Sequence, residues 1–250
     1  MAIQSIRRRP AIWFLGWSGA GPNPGDDVTR WSVAWRHGDA ATLHAFEPPP
    51  SGQPTLVVAD LQRRALVLGS TQTIEVVDHD RAHAHELDVV RRRSGGSTVL
   101  LVPGGHVWID VWIPASDGLW ADDVAAAAVP VGEAWALSLA RFGWTGLTVH
   151  SAGAEAAPWS DLVCFAGRGP GEVITAEGRK LLGLSQRRTR DWMRMQCLVH
   201  RQWNAVDALA GLSLTPDERR TAEISLSEVV AVIGELDEAA LIDALLDTLR

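Results

Sequence analysis

The stretch from His106 to Pro114 constrains the fold more than any other part of this chain. Val107, Ile109, Val111 and Ile113 share one parity, and Trp108, Asp110 and Trp112 share the other. That two-residue period is the signature of a β-strand. Asp110 is thereby placed between two indoles on one face. Where that face is buried the carboxylate needs a partner, because an unpaired buried charge is costly. Further apolar runs bounded by turn residues predict strands at 55–59, 65–70, 87–90, 99–102, 145–149, 162–165 and 172–176. Pro103-Gly104-Gly105 and the 167–171 segment read as tight turns.

Helical signals lie between and after these strands. Residues 122–142 are alanine-rich, with Pro130 as an interruption. Thr215-Pro216-Asp217-Glu218 is a capping box with proline at the first helical position, and Ser225-Leu226-Ser227-Glu228 reads as a second box. Asp237 caps a last helix carrying Ala240, Leu241, Ala244 and Leu245 on one stripe. Strands interleaved with helices and finishing in helices predict a mixed α/β (α+β) domain. The expected organisation is an irregular glycine- and proline-bearing extension over 1–30, a main domain over 31–210, and C-terminal helices over 211–250 packed back on it. A polar stretch with Pro48-Pro49-Pro50 precedes the first clear strand.

A net charge of −7 argues against a general nucleic-acid binder. No apolar run approaches the roughly 20 residues of a membrane span, and the N-terminus has no apolar core with a cleavage site. Two cysteines, Cys164 and Cys197, do not make a disulfide framework, and a cytoplasmic setting is expected. His79, His83 and His85 lack a distant matching pair and read as a solvated loop rather than a metal site.

Two segments carry the chemistry. Arg91-Arg92-Arg93-Ser94-Gly95-Gly96-Ser97-Thr98-Val99 is a basic, glycine-bearing turn entering an apolar strand. Gly178-Arg179-Lys180-Leu181-Leu182-Gly183-Leu184-Ser185-Gln186 places a lysine before a glycine and a small polar pair. Backbone N–H groups and fixed positive charge suit a phosphate or a developing oxyanion. Arg92 or Arg93 can fork onto a phosphate, and Gly95 and Gly96 let the backbone approach a ligand. Read without context, the arginines are a solvated run, Lys180 a solvated loop lysine and Cys164 a packing residue on a strand.

The same two segments, in this order, closely resemble those of the lipoate-protein ligase A family and its cysteine-dependent octanoyltransferase relatives. The likeness runs over about 65–204 and includes Gly69-Ser70-Thr71-Gln72, which resembles a Gly-x-x-Gln segment that shapes the acyl pocket. It implies the lipoyl/biotinyl protein ligase catalytic fold, a central mixed sheet with flanking helices. Ser97 stands where the family has a third glycine, Leu101-Val102 where it has a His-Asp pair, and Gly104-Gly105 where it has Gly-Asn.

The resemblance implies an enzyme that uses ATP and Mg2+ to make an acyl-adenylate of lipoate or octanoate and passes the acyl group to a carrier lysine. Lys180 takes the place of the essential lysine. Arg92, Arg93, Ser94, Gly95, Gly96, Ser97, Thr98, Val99, Leu100, Gly183 and Ser185 fall at binding positions, and no metal ligand is implied. Implied acceptors are lipoyl domains of 2-oxoacid dehydrogenases and the glycine-cleavage H protein. A second branch works without ATP. There Cys164, followed by Phe165, Glu172 and Lys180 in the relatives' order, takes octanoate from acyl carrier protein as a thioester. Cys197 falls near a histidine of the relatives and reads as structural. A third reading is a non-catalytic module that binds an acyl group or a carrier domain.

Overall fold

The computed structural model describes residues 30–47 and 52–249; the expectation for 1–30 lies almost wholly outside them. Strand β1 (Ser32–Gly38) runs parallel to β2 (Thr55–Leu61), with the short helix α1 (Ala40–Ala45) between them. β1 and α1 fall in the stretch that the sequence shows only as polar. Next come β3 (Ala65–Leu68), helix α2 (His79–Ala84), β4 (Asp88–Arg91) and β5 (Val99–Leu101). β3, β4 and β5 form a small sheet in the order β4-β3-β5. The histidine run is therefore a helix rather than a loop. Asp78 starts it by accepting from Arg81 N at 3.0 Å.

The alternating strand β6 (His106–Pro114) lies between β2 and β10 (Trp192–His200) and is antiparallel to both. With neighbours on both sides and cover on both faces, both of its side-chain sets are buried. The set from Val107 to Ile113 packs with helix α3 (Val124–Ala140) and helix α6 (Glu238–Thr248) in the main core. Trp108 packs into a second cluster with Leu43 of α1. The partner that Asp110 requires is Arg194 of β10, whose Nε donates to Oδ2 at 2.9 Å. Trp108 Nε1 donates to the other carboxylate oxygen at 2.8 Å.

Asp123 caps α3 by accepting from Ala126 N at 2.7 Å, and the helix continues through Pro130. After α3 come the two-residue strand β7 (Thr148–Val149), the turn Cys164–Ala166, and β8 (Val173–Ile174). β9 (Lys180–Arg188) then pairs antiparallel with β10, completing a seven-stranded mixed sheet in the order β1-β2-β6-β10-β9-β8-β7. Cys164 is accordingly in a single 3-10 turn, not on a strand. Only Val163 bridges the loop strand at Thr98 before the chain turns.

α4 (Ala205–Ala208) and α5 (Pro216–Leu226) follow the sheet. The Thr215/Glu218 capping box forms as expected, with Thr215 N on Glu218 Oε2 at 2.8 Å. The second box does not form. Ser227 instead ends α5, its hydroxyl on Ile224 O at 2.8 Å. Beyond it the β-branched run Val229-Val230-Ala231-Val232-Ile233 is extended and docks on the sheet. Lys180 N donates to Val229 O at 2.8 Å, and Ile233 N to His200 O at 2.8 Å. No helix among the described residues is long and apolar enough to cross a membrane.

Candidate active site

The basic turn and the lysine segment meet around Cys164. Gly69 lies so close to the turn that a Cβ there would overlap the carbonyl oxygen of Gly96. Gln72 braces the same place, accepting from Gly69 N at 3.0 Å and donating to Asp161 O at 2.9 Å. Gly96 has φ +91°, a left-handed conformation suited to glycine, and a Cβ there would sit 3.2 Å from Cys164 Sγ.

Adjacent arginines of the turn part company. Arg92 is buried, donating to Gly95 O at 2.7 Å and Val67 O at 3.4 Å, with Nη2 3.9 Å from Cys164 Sγ. Burial pulls its guanidinium below the ordinary value, while Cys164 opposes that shift. Arg93 points outward onto Glu47 at 2.7 Å. Ser94 is buried and donates to Gln196 Oε1 at 2.7 Å, with Ser185 Oγ 3.0 Å away. Ser97 donates its hydroxyl to Ser160 O, and Thr98 to Leu162 O at 2.5 Å, so both bind the 160–162 segment rather than solvent. Val99 and Leu100 begin β5.

Lys180 opens β9 and is 3% exposed, which corrects its expected place in a solvated loop. The reason is local. Its backbone is paired with the extended 229–231 segment, and its ammonium is 2.6 Å from Glu172 Oε2. A second hydrogen bond runs from Nζ to the carbonyl oxygen of Cys164 at 2.9 Å. The Phe165 ring lies 5.3 Å away. Glu172 also accepts from Gly169 N at 2.7 Å and Leu184 N at 3.2 Å. Burial pushes its carboxyl up, while Lys180 and these donors pull it down. Gly183 leaves room for Phe165, since a Cβ there would stand 2.6 Å from the ring. Cys197 is buried in β10 and 3.8 Å from Met195 O, with burial pushing its thiol up.

Two spaces meet at Cys164, Leu184 and Ser185. The inner one is a slot of about 50 Å³ walled by apolar side chains such as Val67, Val99, Leu101, Trp108, Phe165 and Leu198. The outer one is a cleft of about 410 Å³, bordered by Gly95, Gly96 and Ser97 on one side and by Arg168, Gly169 and Lys180 on another. Apolar walls with few polar groups suit a small acyl ligand. Arg92 and Gln196 reach the slot, and so does His44 of α1.

His44 and Gln196 are not marked by any motif. The signal for Gln196 is the alternation of β10, where Arg194 and Gln196 share a parity that Met193, Met195 and Cys197 do not. Among the described residues no three His, Cys, Asp or Glu side chains group as a metal-ligand set.

The family model for the lipoyl protein ligase A/B catalytic domain matches residues 39–247. The chain belongs to that family. It is thus an enzyme of the lipoate ligase and transferase family, and its mixed sheet with flanking helices is the catalytic fold of that family. No curated protein matches it in sequence. Among solved structures it is similar to the bipartite lipoate protein ligase of Thermoplasma acidophilum, at 17% identity and TM-score 0.63, over 87% of this chain and 81% of that one. A lipoate-protein ligase A bound with ATP is similar at 18% identity and TM-score 0.59, over 88% and 83%. Ta0514 of T. acidophilum with bound lipoic acid aligns at 15% identity and TM-score 0.55, over 86% and 93%.

Proposed function

We propose that this catalytic domain transfers a lipoyl or octanoyl group to a lysine of a lipoyl domain through a thioester on Cys164, without ATP. The observation that carries this reading is the place of Cys164. Its sulfur lies beside Arg92 at 3.9 Å, and the residue lines both the apolar slot and the outer cleft. A positive charge beside a sulfur suits a nucleophilic thiol.

In the first half-reaction the Cys164 sulfur attacks the thioester carbonyl of an acyl carrier protein. The carbon–sulfur bond to the carrier breaks, and the departing carrier thiol takes the proton that Cys164 gives up. In the second half-reaction the acceptor lysine amine attacks the Cys164 thioester. An amide forms, and the proton lost by the amine returns to Cys164. Arg92 offers charge beside the sulfur, and Lys180 positions the Cys164 backbone through its carbonyl. The slot shields the acyl chain from water.

Cations lining the outer cleft support the choice. Lys180 faces Glu172 at 2.6 Å and Arg168 faces Glu155 at 3.8 Å, so each already has a carboxylate of the protein. The adenylate route with ATP and Mg2+, implied by the resemblance, is favoured instead by the volume of the cleft and its glycine-bearing wall.

The test is acyl transfer to an apo lipoyl domain read by intact mass. Octanoyl-acyl carrier protein alone is compared with lipoate, ATP and Mg2+, using wild type and Cys164→Ser. ATP-free product that disappears in Cys164→Ser, with an acyl-enzyme mass in the wild type, is expected. Product made only with ATP and indifferent to the serine would make the chain a ligase.

A further inference from the structure

Two arginines from different segments share one carboxylate beside the outer cleft. Arg93 reaches Glu47 Oε1 at 2.7 Å, and Arg187 reaches the same oxygen at 3.6 Å. Two guanidinium charges against one carboxylate leave a positive charge over. Arg92 adds to it, since it donates to carbonyl oxygens and has no carboxylate partner among the described residues. The local surplus runs against the net charge of −7 of the whole chain. Burial, and after it the Arg93 charge, lowers the Arg187 guanidinium, while Glu47 opposes them.

The fold puts this cluster at the rim. Arg93 directly precedes Ser94 and Gly95, and Gly95 borders the cleft. Arg187 directly follows Ser185 and Gln186, which border it too. Ser94 and Ser185 tie the two segments together, their hydroxyl oxygens 3.0 Å apart. Ser185 and Arg187 are on one face of β9, about 7 Å apart along the strand. Arg187 also lies over Trp192, its Cζ 5.5 Å from the ring centre, and Trp192 packs on Trp112 at 4.6 Å. A fork held against a ring is preset, so it loses little freedom on taking a new partner. Glu47 and Arg93 are exposed, and exposed ion pairs add little to stability.

We infer, building on the acyl-transfer reading, that Arg93 and Arg187 form a carboxylate clamp for the acceptor domain: an acidic side chain next to the acceptor lysine displaces Glu47 and docks there while the lysine enters the cleft. A lysine has only a four-carbon stem, so its chain neighbours stay close to the mouth of the cleft when its amine goes in. A donor thiol at the end of a long carrier arm keeps its own protein further out. The clamp therefore meets the acceptor. The planar forks suit a carboxylate, and opposite charges across an interface steer approach and fix register.

The experiment is calorimetric titration of the full chain with an apo lipoyl domain that has acidic residues beside its lysine, at low and at physiological salt. Wild type, Arg93→Gln/Arg187→Gln and Glu47→Gln are compared, each also against a domain whose acidic neighbours are changed to their amides. Neutralising those neighbours is expected to weaken wild-type binding about five- to tenfold. The double variant should start that much weaker, ignore the change in the domain and depend less on salt. Glu47→Gln should bind about twofold more tightly than wild type or better, because a competing carboxylate is gone. A cluster that only braces the fold would not give that sign. Wild type that fails to bind or ignores the neutralised neighbours, or Glu47→Gln that binds no tighter, overturns the clamp. The intact-mass assay on the same wild type separates the two readings. Cys164-dependent transfer without the clamp strikes this inference alone, and a clamp without Cys164-dependent transfer strikes the thioester route alone.

Discussion

Lys180–Glu172 and Arg194–Asp110 are both ion pairs with two buried side chains, one begun on β9 and the other on β10. The hydrogen bonds left over after pairing go to different places. Arg194 spends them on the carbonyl oxygens at the end of α1, and Asp110 on the indole of Trp108. All of these are parts of the scaffold. Lys180 gives its spare bond to the carbonyl of Cys164, and Glu172 accepts from the Gly169 turn bordering the cleft. The same chemical device fixes a wall in one case and holds the backbone of Cys164 in the other.

Removing Lys180 tests the distinction hardest. Lys180→Met leaves Glu172 buried without its cation, at a cost of about 3–5 kcal/mol in urea unfolding. Transfer is also expected to fall by at least about a hundredfold. The double variant Lys180→Met/Glu172→Gln should recover most of the lost stability and none of the lost turnover. A double variant that regained activity would remove Lys180 from the site.

Arg194→Met should cost a similar 3–5 kcal/mol or so in stability. The folded fraction should keep turnover within about tenfold of wild type. A larger loss of turnover at full folding would erase the difference between the two pairs.

The smallest effect contrasts paired buried charges with an unpaired buried imidazole. His200 packs edge-on against Phe165 at 4.4 Å, its Nε2 has no partner among the described residues, and burial lowers it to about 3. Below pH 6.5 the unfolded chain binds a proton at this ring, and the folded chain does not until near pH 3. Its contribution to stability therefore falls as pH is lowered, by up to about 1.4 kcal/mol per pH unit. Unfolding midpoints of wild type and His200→Phe, measured from pH 7.5 to 5, should show the steeper loss in wild type. Parallel curves would contradict the buried neutral ring.

What was legible in the sequence follows from how local each signal is. β6 shows itself through strict alternation, α3 through its alanine-rich run, and α5 and α6 through their caps. The glycine-bearing turn and the Lys180 segment stand out because each packs its residue types and spacing into nine consecutive positions. β9 was not legible as a strand. Its first four residues are all buried and its last five are partly exposed, so no single parity marks a face. The second capping box at Ser225 had the right letters but was overruled by the β-branched run behind it, which pairs with β9 and β10. The hydrogen bonds that link Ser94, Gln196 and His44 join a turn, a strand and a helix distant in sequence, and only the folded sheet brings them together.

The position of Cys164 at the meeting of slot and cleft has a consequence for kinetics. In the transfer proposed here, the same sulfur takes the acyl group from the donor and gives it to the acceptor. The donor has to leave before the acceptor lysine can reach the sulfur, so the two carriers take turns and never meet on the enzyme. Each becomes a rival of the other. Raising either concentration should first speed turnover and then slow it, and double-reciprocal plots at several acceptor concentrations should run parallel.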